Sequence, residues 1–184
     1  MTNDCTTTEA GAPCRVAAGH LTWRSGVLLL CVLAALGCAR ADVELADGQR
    51  VSWQQWDGQW LVINYWAEWC APCRVEIPEL NRLHRAGADA GVVVLGVNFD
   101  GVTGADMDRL IELFSIEFPI LLADPGARWQ QSKPTVLPAT LIIDPRGELH
   151  EVLVGPQTYE SLAEAVGLPV EEAPPAAVSP APEV

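Results

Sequence analysis

Residues 61–74 read LVINYWAEWCAPCR, an apolar run that leads directly into two cysteines separated by two residues. An apolar run of this kind, preceded by Gly58, predicts a strand that is buried on both faces near the centre of a sheet. Apolar residues then recur at helical spacing from Ala71 to about Arg85, which predicts a helix. Pro78 lies within it and is expected to kink the helix or to end its first segment. The pattern therefore places the cysteine pair at a strand-to-helix junction.

The spacing of Cys70 and Cys73 predicts thiol chemistry. Cys70 begins the helix, where unpaired backbone N–H groups and the helix dipole favour a thiolate, so we predict that it is the nucleophile. Cys73 lies one turn further along the same face and is placed to resolve a mixed disulfide. Pro72 stiffens the turn between them, which a first helical turn tolerates.

A metal site is the main alternative use of this pair. Structural zinc needs four protein ligands, and no second cysteine pair or paired histidine follows. His84 and His150 are isolated in the sequence. Covalent haem attachment needs a histidine directly after the second cysteine, where this chain has Arg74. We therefore predict no metal and no cofactor.

The rest of the chain predicts the element order β-α-β-α-β-β-α after a short extended start. Met107, Leu110, Ile111 and Phe114 recur at the spacing of an amphipathic helix that packs on a sheet. The further predicted elements are a hairpin-like start at 43–51, a strand at 92–99, the helix at 104–116, a strand or extended edge at 118–123, a short helix at 126–132, two strands at 140–143 and 148–154 joined by a turn at 144–147, and a last helix at 159–166.

The segment from Asn64 to Arg74 resembles the thioredoxin superfamily and, within it, the TlpA-like (ResA-like) periplasmic thiol-disulfide oxidoreductases. The resemblance implies an α/β, thioredoxin-like fold with a central mixed β-sheet flanked by helices. It also implies a cis-proline at Pro138 that faces a redox-active disulfide. Glu68 departs from the family, which more often has Thr or a small residue there, and this change could alter the reduction potential or the choice of partner. The similarity runs from Val43 to Gly167 and includes Val51-Ser52 with Gly58, Glu76 with Pro78, Phe118-Pro119 with Asp124, Leu137-Pro138-Ala139-Thr140 and Ile143-Asp144-Pro145-Arg146-Gly147.

Glu76 is a further candidate catalytic residue. It follows Cys73 by three positions on the same helix, so its carboxylate could accept the proton that Cys73 loses during attack on a mixed disulfide. The alternative is a solvated glutamate favoured by the helix dipole. Glu68 is expected at the rim of the site. Trp66 and Trp69 suit packing as well as partner contact, and Trp53, Trp56, Trp60 and Trp129 are simplest as core or surface residues.

Composition limits the function further. A chain of 184 residues accommodates one domain, and 24 acidic against 11 basic residues give a net charge of −13, which argues against nucleic-acid binding. The resemblance implies a reductase of disulfide-bonded periplasmic proteins that is re-reduced by an inner-membrane thiol donor. A copper or zinc carrier that uses the same two thiolates is the alternative. Peroxide reduction is a third, but its pattern of Pro and Thr ahead of a single reactive cysteine is absent.

The N-terminal region predicts export. Residues 25–36 form an uncharged apolar run that follows Arg24 and precedes small residues, which is the order of an export signal, and the run is too short to cross a bilayer comfortably. The run Ala35-Leu36-Gly37-Cys38 resembles a bacterial lipobox, in which the cysteine is lipidated, although the first two residues depart from the usual pattern. An uncleaved anchor, or cleavage after Ala39 or Ala41 without a lipid, are the alternatives.

These features divide the chain into an export signal at 1–41, a thioredoxin-like domain at 42–167 and a disordered Pro/Glu-rich tail at 168–184. Cys5, Cys14 and Cys31 fall in the segment expected to be removed. The predicted location is the periplasmic side of a bacterial membrane, with a lipid anchor.

Lipidation at Cys38 predicts that the full chain incorporates labelled fatty acid in a bacterial host. Cys38→Ser should lose the label, because serine offers no thiol for the lipid. Wild type without label, or a variant with undiminished label, would contradict the lipoprotein assignment.

Overall fold

The computed structural model describes residues 42–169. The predicted signal, the lipidation candidate Cys38 and residues 170–184 of the predicted tail lie outside this range. No helix within it combines the length and apolar character that crossing a bilayer requires.

The chain begins with the predicted hairpin. Strand β1 (Val43–Glu44) pairs antiparallel with β2 (Arg50–Val51). Gly48 adopts a φ of +83° in the connecting turn, a left-handed conformation that favours glycine. Asp47 accepts a hydrogen bond from the backbone N–H of Gln49 at 2.9 Å and stabilises the same turn.

The remaining strands are β3 (Trp60–Trp66), β4 (Val92–Asn98), β5 (Ile120–Leu121), β6 (Ala139–Ile143) and β7 (Leu149–Val154). They form a mixed five-stranded sheet in the order β5-β4-β3-β6-β7. β3 lies at its centre, parallel to β4 and antiparallel to β6, and β5 and β7 form the two edges. The apolar run from Leu61 to Trp66 is buried throughout, which confirms the predicted central strand.

Three helices pack on the sheet: α1 (Ala71–Gly87), α2 (Gly104–Phe114) and α3 (Tyr159–Ala165). α1 continues through Pro78, so the expectation that this proline could end a first helical segment is wrong. Pro78 is exposed, as is Arg74, whose carbonyl the missing N–H would have bonded, so water can serve that carbonyl. The inner face of the helix stays anchored by buried apolar side chains.

Two apolar layers cover the two faces of the sheet. One lies under the helices and combines Val62, Trp66 and Ile142 of the strands with Leu80 of α1 and Leu162 of α3. The other lies under the hairpin and two short 3-10 helices, Trp53–Trp56 and Gly126–Trp129, and includes Leu45, Trp56, Ile63, Tyr65 and Leu141. All three helices thus share one face of the sheet with the cysteine pair.

The predicted short helix at 126–132 is one 3-10 turn, and the predicted edge strand at 118–123 is reduced to β5. Leu168, assigned from the sequence to the tail, packs against the helical core layer, and its N–H donates to the carbonyl of Ala163 at 2.8 Å. The folded structure therefore continues a short way past α3.

Candidate active site

Cys70 and Cys73 form a disulfide at the start of α1, with Cα atoms 5.3 Å apart. Cys70 is the N-cap residue, and its Sγ accepts the backbone N–H of Cys73 at 3.3 Å. An N–H aimed at this sulfur would also stabilise a Cys70 thiolate in the reduced protein. The geometry thus agrees with the prediction that Cys70 is the nucleophile, which stays a prediction.

Both sulfurs lie almost entirely within the protein, since Cys70 is 3% and Cys73 1% exposed. Trp69, directly before the pair, is 63% exposed, and its indole Nε1–H donates to Asp100 at 2.9 Å. Trp66 is fully buried and belongs to the core. Of the two tryptophans that the sequence left open, only Trp69 lies where a partner could contact it.

Pro138 precedes β6 at the same end of the sheet. The Leu137–Pro138 peptide bond is cis, as the resemblance implied. Ala139 pairs with Tyr65 near the end of β3, shortly before the chain turns to Cys70, and the carbonyl of Pro138 accepts the N–H of Gly155 at 2.9 Å. A catalytic role for Pro138 stays a prediction.

Glu76 is buried beneath α1, with 1% of its surface exposed, so the alternative of a solvated glutamate is wrong. Its Oε1 accepts the backbone N–H of Gln157 at 3.0 Å, and its Oε2 accepts the side-chain amide of Asn64 at 2.8 Å. Burial raises the pKa of Glu76 from 4.5 to about 7, although both hydrogen bonds favour the carboxylate and oppose the rise. A carboxyl group with this pKa can take up and release a proton near neutral pH.

Sequence reasoning missed the partners of Glu76. Asn64 is fully buried in β3 and also donates to the Thr140 hydroxyl of β6 at 2.9 Å. A lone asparagine inside an apolar strand was the available signal, because buried polar groups are nearly always hydrogen-bonded. Gln157 offered no signal, since it contributes a backbone group from a loop that is 81 positions away from Glu76.

The rim of the site carries charge. Glu68, half exposed, pairs with Arg109 of α2 at 3.3 Å, so the residue that departs from the family lies at the rim as expected. Exposed pairs of this kind contribute little to stability. An influence of Glu68 on the reduction potential or on the choice of partner stays a prediction.

A cluster of tryptophan rings lies away from the cysteine pair. Trp53 packs edge-to-face on Trp56 and Trp129, with ring centroids 5.0 and 5.7 Å apart. These rings lie beside Leu61, which pairs with Ile143 at the end of β3 that is opposite to Cys70. Within residues 42–169, no cluster of three or more His, Cys, Asp or Glu side chains is arranged to hold a metal ion.

Residues 37–152 match the model of the AhpC/TSA family. The chain belongs to this family. It is 30% identical over 119 residues to the thiol-disulfide oxidoreductase ResA of Oceanobacillus iheyensis, an alignment that covers 65% of this chain and 62% of that relative's length. The resemblance stated from the sequence is thereby confirmed, and the relatives are named thiol-disulfide oxidoreductases.

Solved structures agree on the fold. StoA from Bacillus subtilis is 25% identical, with a TM-score of 0.54, and the match covers 70% of this chain and 98% of StoA. A secreted thiol-disulfide isomerase from Corynebacterium glutamicum has 23% identity and a TM-score of 0.58, with coverage of 67% and 78%. The chain has a thioredoxin-like fold, as the sequence predicted.

The burial of Glu76 predicts a pH-dependent stability. Between its ordinary pKa of 4.5 and the folded pKa of about 7, the folded protein binds more protons than the unfolded chain. The contribution of Glu76 to the free energy of unfolding should therefore fall by roughly 3 kcal/mol as pH rises through this window, and change no further above it. Urea unfolding of the oxidised wild type and of Glu76→Gln at several pH values measures this fall as the difference between the two proteins.

In Glu76→Gln this part of the pH dependence should be absent. Glu79→Gln is the matched control, because Glu79 lies on the same helix and accepts the N–H of Tyr159 at 3.1 Å without touching Asn64 or Gln157. If the free energy of unfolding changed with pH in the same way in wild type and in Glu76→Gln, burial would not raise the pKa of Glu76.

Proposed function

We propose that this chain is an exported, membrane-tethered thiol-disulfide oxidoreductase that reduces disulfides in other proteins. The observation that carries the proposal is the Cys70–Cys73 disulfide at the start of α1, with the buried Glu76 carboxyl on the same helix. A pair held only for structural stability would not need a buried acid three residues further on.

The reaction begins from the reduced pair. The Cys70 thiolate attacks one sulfur of a substrate disulfide, a mixed disulfide forms, and the other substrate sulfur leaves as a thiolate. Cys73 then passes its proton to Glu76 and attacks Cys70 Sγ, which releases the second substrate thiolate. Two electrons pass from the dithiol to the substrate, and the enzyme is left with the Cys70–Cys73 disulfide that the structure contains.

Several further roles belong to the proposal. Pro138 lies at the same end of the sheet as Cys70, where it can position the substrate disulfide. The export signal at 1–41 and the lipobox-like Cys38 support a periplasmic, lipid-anchored location. Disulfide-bonded periplasmic proteins would be the substrates, and an inner-membrane thiol donor would reduce the pair again. The reductive direction rests on the resemblance to TlpA-like proteins.

Trapping tests the assignment of the two cysteines. In Cys73→Ser the Cys70 thiolate can still attack a substrate, but nothing resolves the product, so covalent complexes with partner proteins should accumulate. Cys70→Ser should trap none. Affinity capture followed by reduction identifies the partners.

Equal trapping by both variants would contradict the assignment of roles. If neither variant traps a partner and purified wild type retains stoichiometric copper or zinc, the carrier function replaces the oxidoreductase.

Glu76→Gln should slow release of the mixed disulfide by about 10- to 100-fold and leave its formation unchanged, because glutamine cannot accept the proton of Cys73. Stopped-flow measurements on a model disulfide separate the two steps. Glu79→Gln again serves as the control and should match wild type. Equal release rates for Glu76→Gln and wild type from about pH 6 to about pH 9 would exclude Glu76 from proton transfer.

A further inference from the structure

Only the amide nitrogen of the Asn64 side chain is hydrogen-bonded within the described residues, and its carbonyl oxygen is not. Its amide nitrogen donates to Glu76 Oε2 at 2.8 Å and to Thr140 Oγ1 at 2.9 Å. Its carbonyl oxygen Oδ1 is buried and has no hydrogen-bond partner among the groups of residues 42–169. An unpaired acceptor in the core is unfavourable, so its retention in the central strand suggests that Oδ1 is used in another state of the site.

The two oxygens of Glu76 differ in where a proton can reside. Oε1 faces the backbone N–H of Gln157, which can only donate. A proton taken up by Glu76 therefore belongs on Oε2, the oxygen that faces Asn64. When that O–H is directed at Asn64, the amide NH₂ of Asn64 faces another donor, and neither group can accept the other's hydrogen.

A half-turn of the Asn64 amide removes this conflict. It brings Oδ1 to the position of the nitrogen, where it can accept the O–H of a protonated Glu76 and the hydroxyl hydrogen of Thr140. A threonine hydroxyl both donates and accepts, so Thr140 suits either orientation. The same two neighbours thus serve both protonation states of Glu76.

We propose that Asn64 is the positioning residue for proton transfer, and that its side-chain amide turns end for end as Glu76 gains and loses a proton. This inference rests on the proposed function, in which the proton leaves the Cys73 thiol and arrives on Glu76 Oε2. It then passes to the departing substrate thiolate or to solvent, and the amide turns back. No electron is transferred in this step.

Few groups near Glu76, other than Glu76 itself, could make the orientation of the Asn64 amide depend on pH. On its own helix the titratable neighbours are Cys73, which is locked in the disulfide of the oxidised protein, and Glu79, which is held by the Tyr159 N–H of α3. β3 and β6 contribute the neutral Asn64 and Thr140, and the segment before α3 contributes a backbone amide. Coulombic interactions are not among the causes of the pKa shift of Glu76.

Nuclear magnetic resonance of the oxidised protein tests the inference without turnover. The side-chain amide ¹H and ¹⁵N signals of Asn64 should change with a single midpoint equal to that of the Glu76 carboxyl ¹³C signal. Contacts from the amide protons to Thr140 should be present above the midpoint and absent below it.

Glu76→Gln provides the sharpest comparison. Its amide oxygen must accept from Gln157, so its NH₂ group faces Asn64 and should hold Asn64 in the orientation that accepts. The Asn64 signals of this variant should then be independent of pH and match those of wild type at low pH. Wild-type Asn64 signals that stay constant while Glu76 titrates, or a variant that matches the high-pH form, would overturn the inference.

Kinetics provide the second readout. Asn64→Leu should slow release of the mixed disulfide by about tenfold, with formation unchanged and little change in the pH midpoint, because both protonation states of Glu76 lose a hydrogen bond. If the Asn64 amide did not turn, its NH₂ group would stabilise only the carboxylate form of Glu76. Asn64→Leu would then clearly raise the pH midpoint of Glu76, and that result would contradict the inference. Asn81→Leu is the control, because Asn81 is buried on α1 but bonds Ser115 and Glu117, and it should lower stability without changing release.

The two proposals can fail separately. Trapping by Cys73→Ser together with fixed Asn64 signals overturns the role of Asn64 and supports the oxidoreductase. If the Asn64 signals change with pH but Cys73→Ser traps no partner, the amide turn is supported and the proposed function is overturned.

Discussion

The carboxyl group of Glu76 is held out of water by three elements that are far apart in the sequence. α1 carries it, Asn64 of β3 bonds one oxygen, and the backbone of Gln157 before α3 bonds the other. Removing a carboxylate from water is costly, so its two hydrogen bonds only partly offset the burial, and the pKa rises to about 7. The position of α1 over the centre of the sheet, and thus of the cysteine pair, is coupled to this one buried acid.

The central strand makes this arrangement possible. β3 pairs with β4 along its whole length and with β6 from Leu61 to Tyr65. Its side chains alternate between the two apolar layers. Asn64 points toward the helices from within that strand, where water does not compete for its hydrogen bonds. The turn after Trp66 then brings Cys70 to the start of α1, where its sulfur accepts the N–H of Cys73.

The two ends of the strands have different characters. At the end where β3 leads to Cys70, Trp69 is exposed and Glu68 pairs with Arg109, so a partner would meet an aromatic side chain within a charged rim. At the opposite end, tryptophan rings pack on one another and Arg128 lies over Trp53 at 4.7 Å. Among residues 42–169, the cysteine pair lies at the first end, where α1 begins shortly after the buried strand β3.

The sequence by itself determined the elements and the redox pair. An apolar run followed by two cysteines at helical spacing is a local pattern, and local patterns predict a buried strand, a helix start and the exposure of backbone N–H groups. It also predicted Glu76 as a candidate, because helical spacing places it on the face of Cys73. Only the tertiary structure decided that Glu76 is buried, that Asn64, Thr140 and Gln157 surround it, and that α1 continues through Pro78. Those outcomes depend on which distant segments pack together. Burial raises the pKa of Glu76, and exposure lets water bond the Arg74 carbonyl that Pro78 leaves without a donor; both are properties of the packed chain rather than of local spacing.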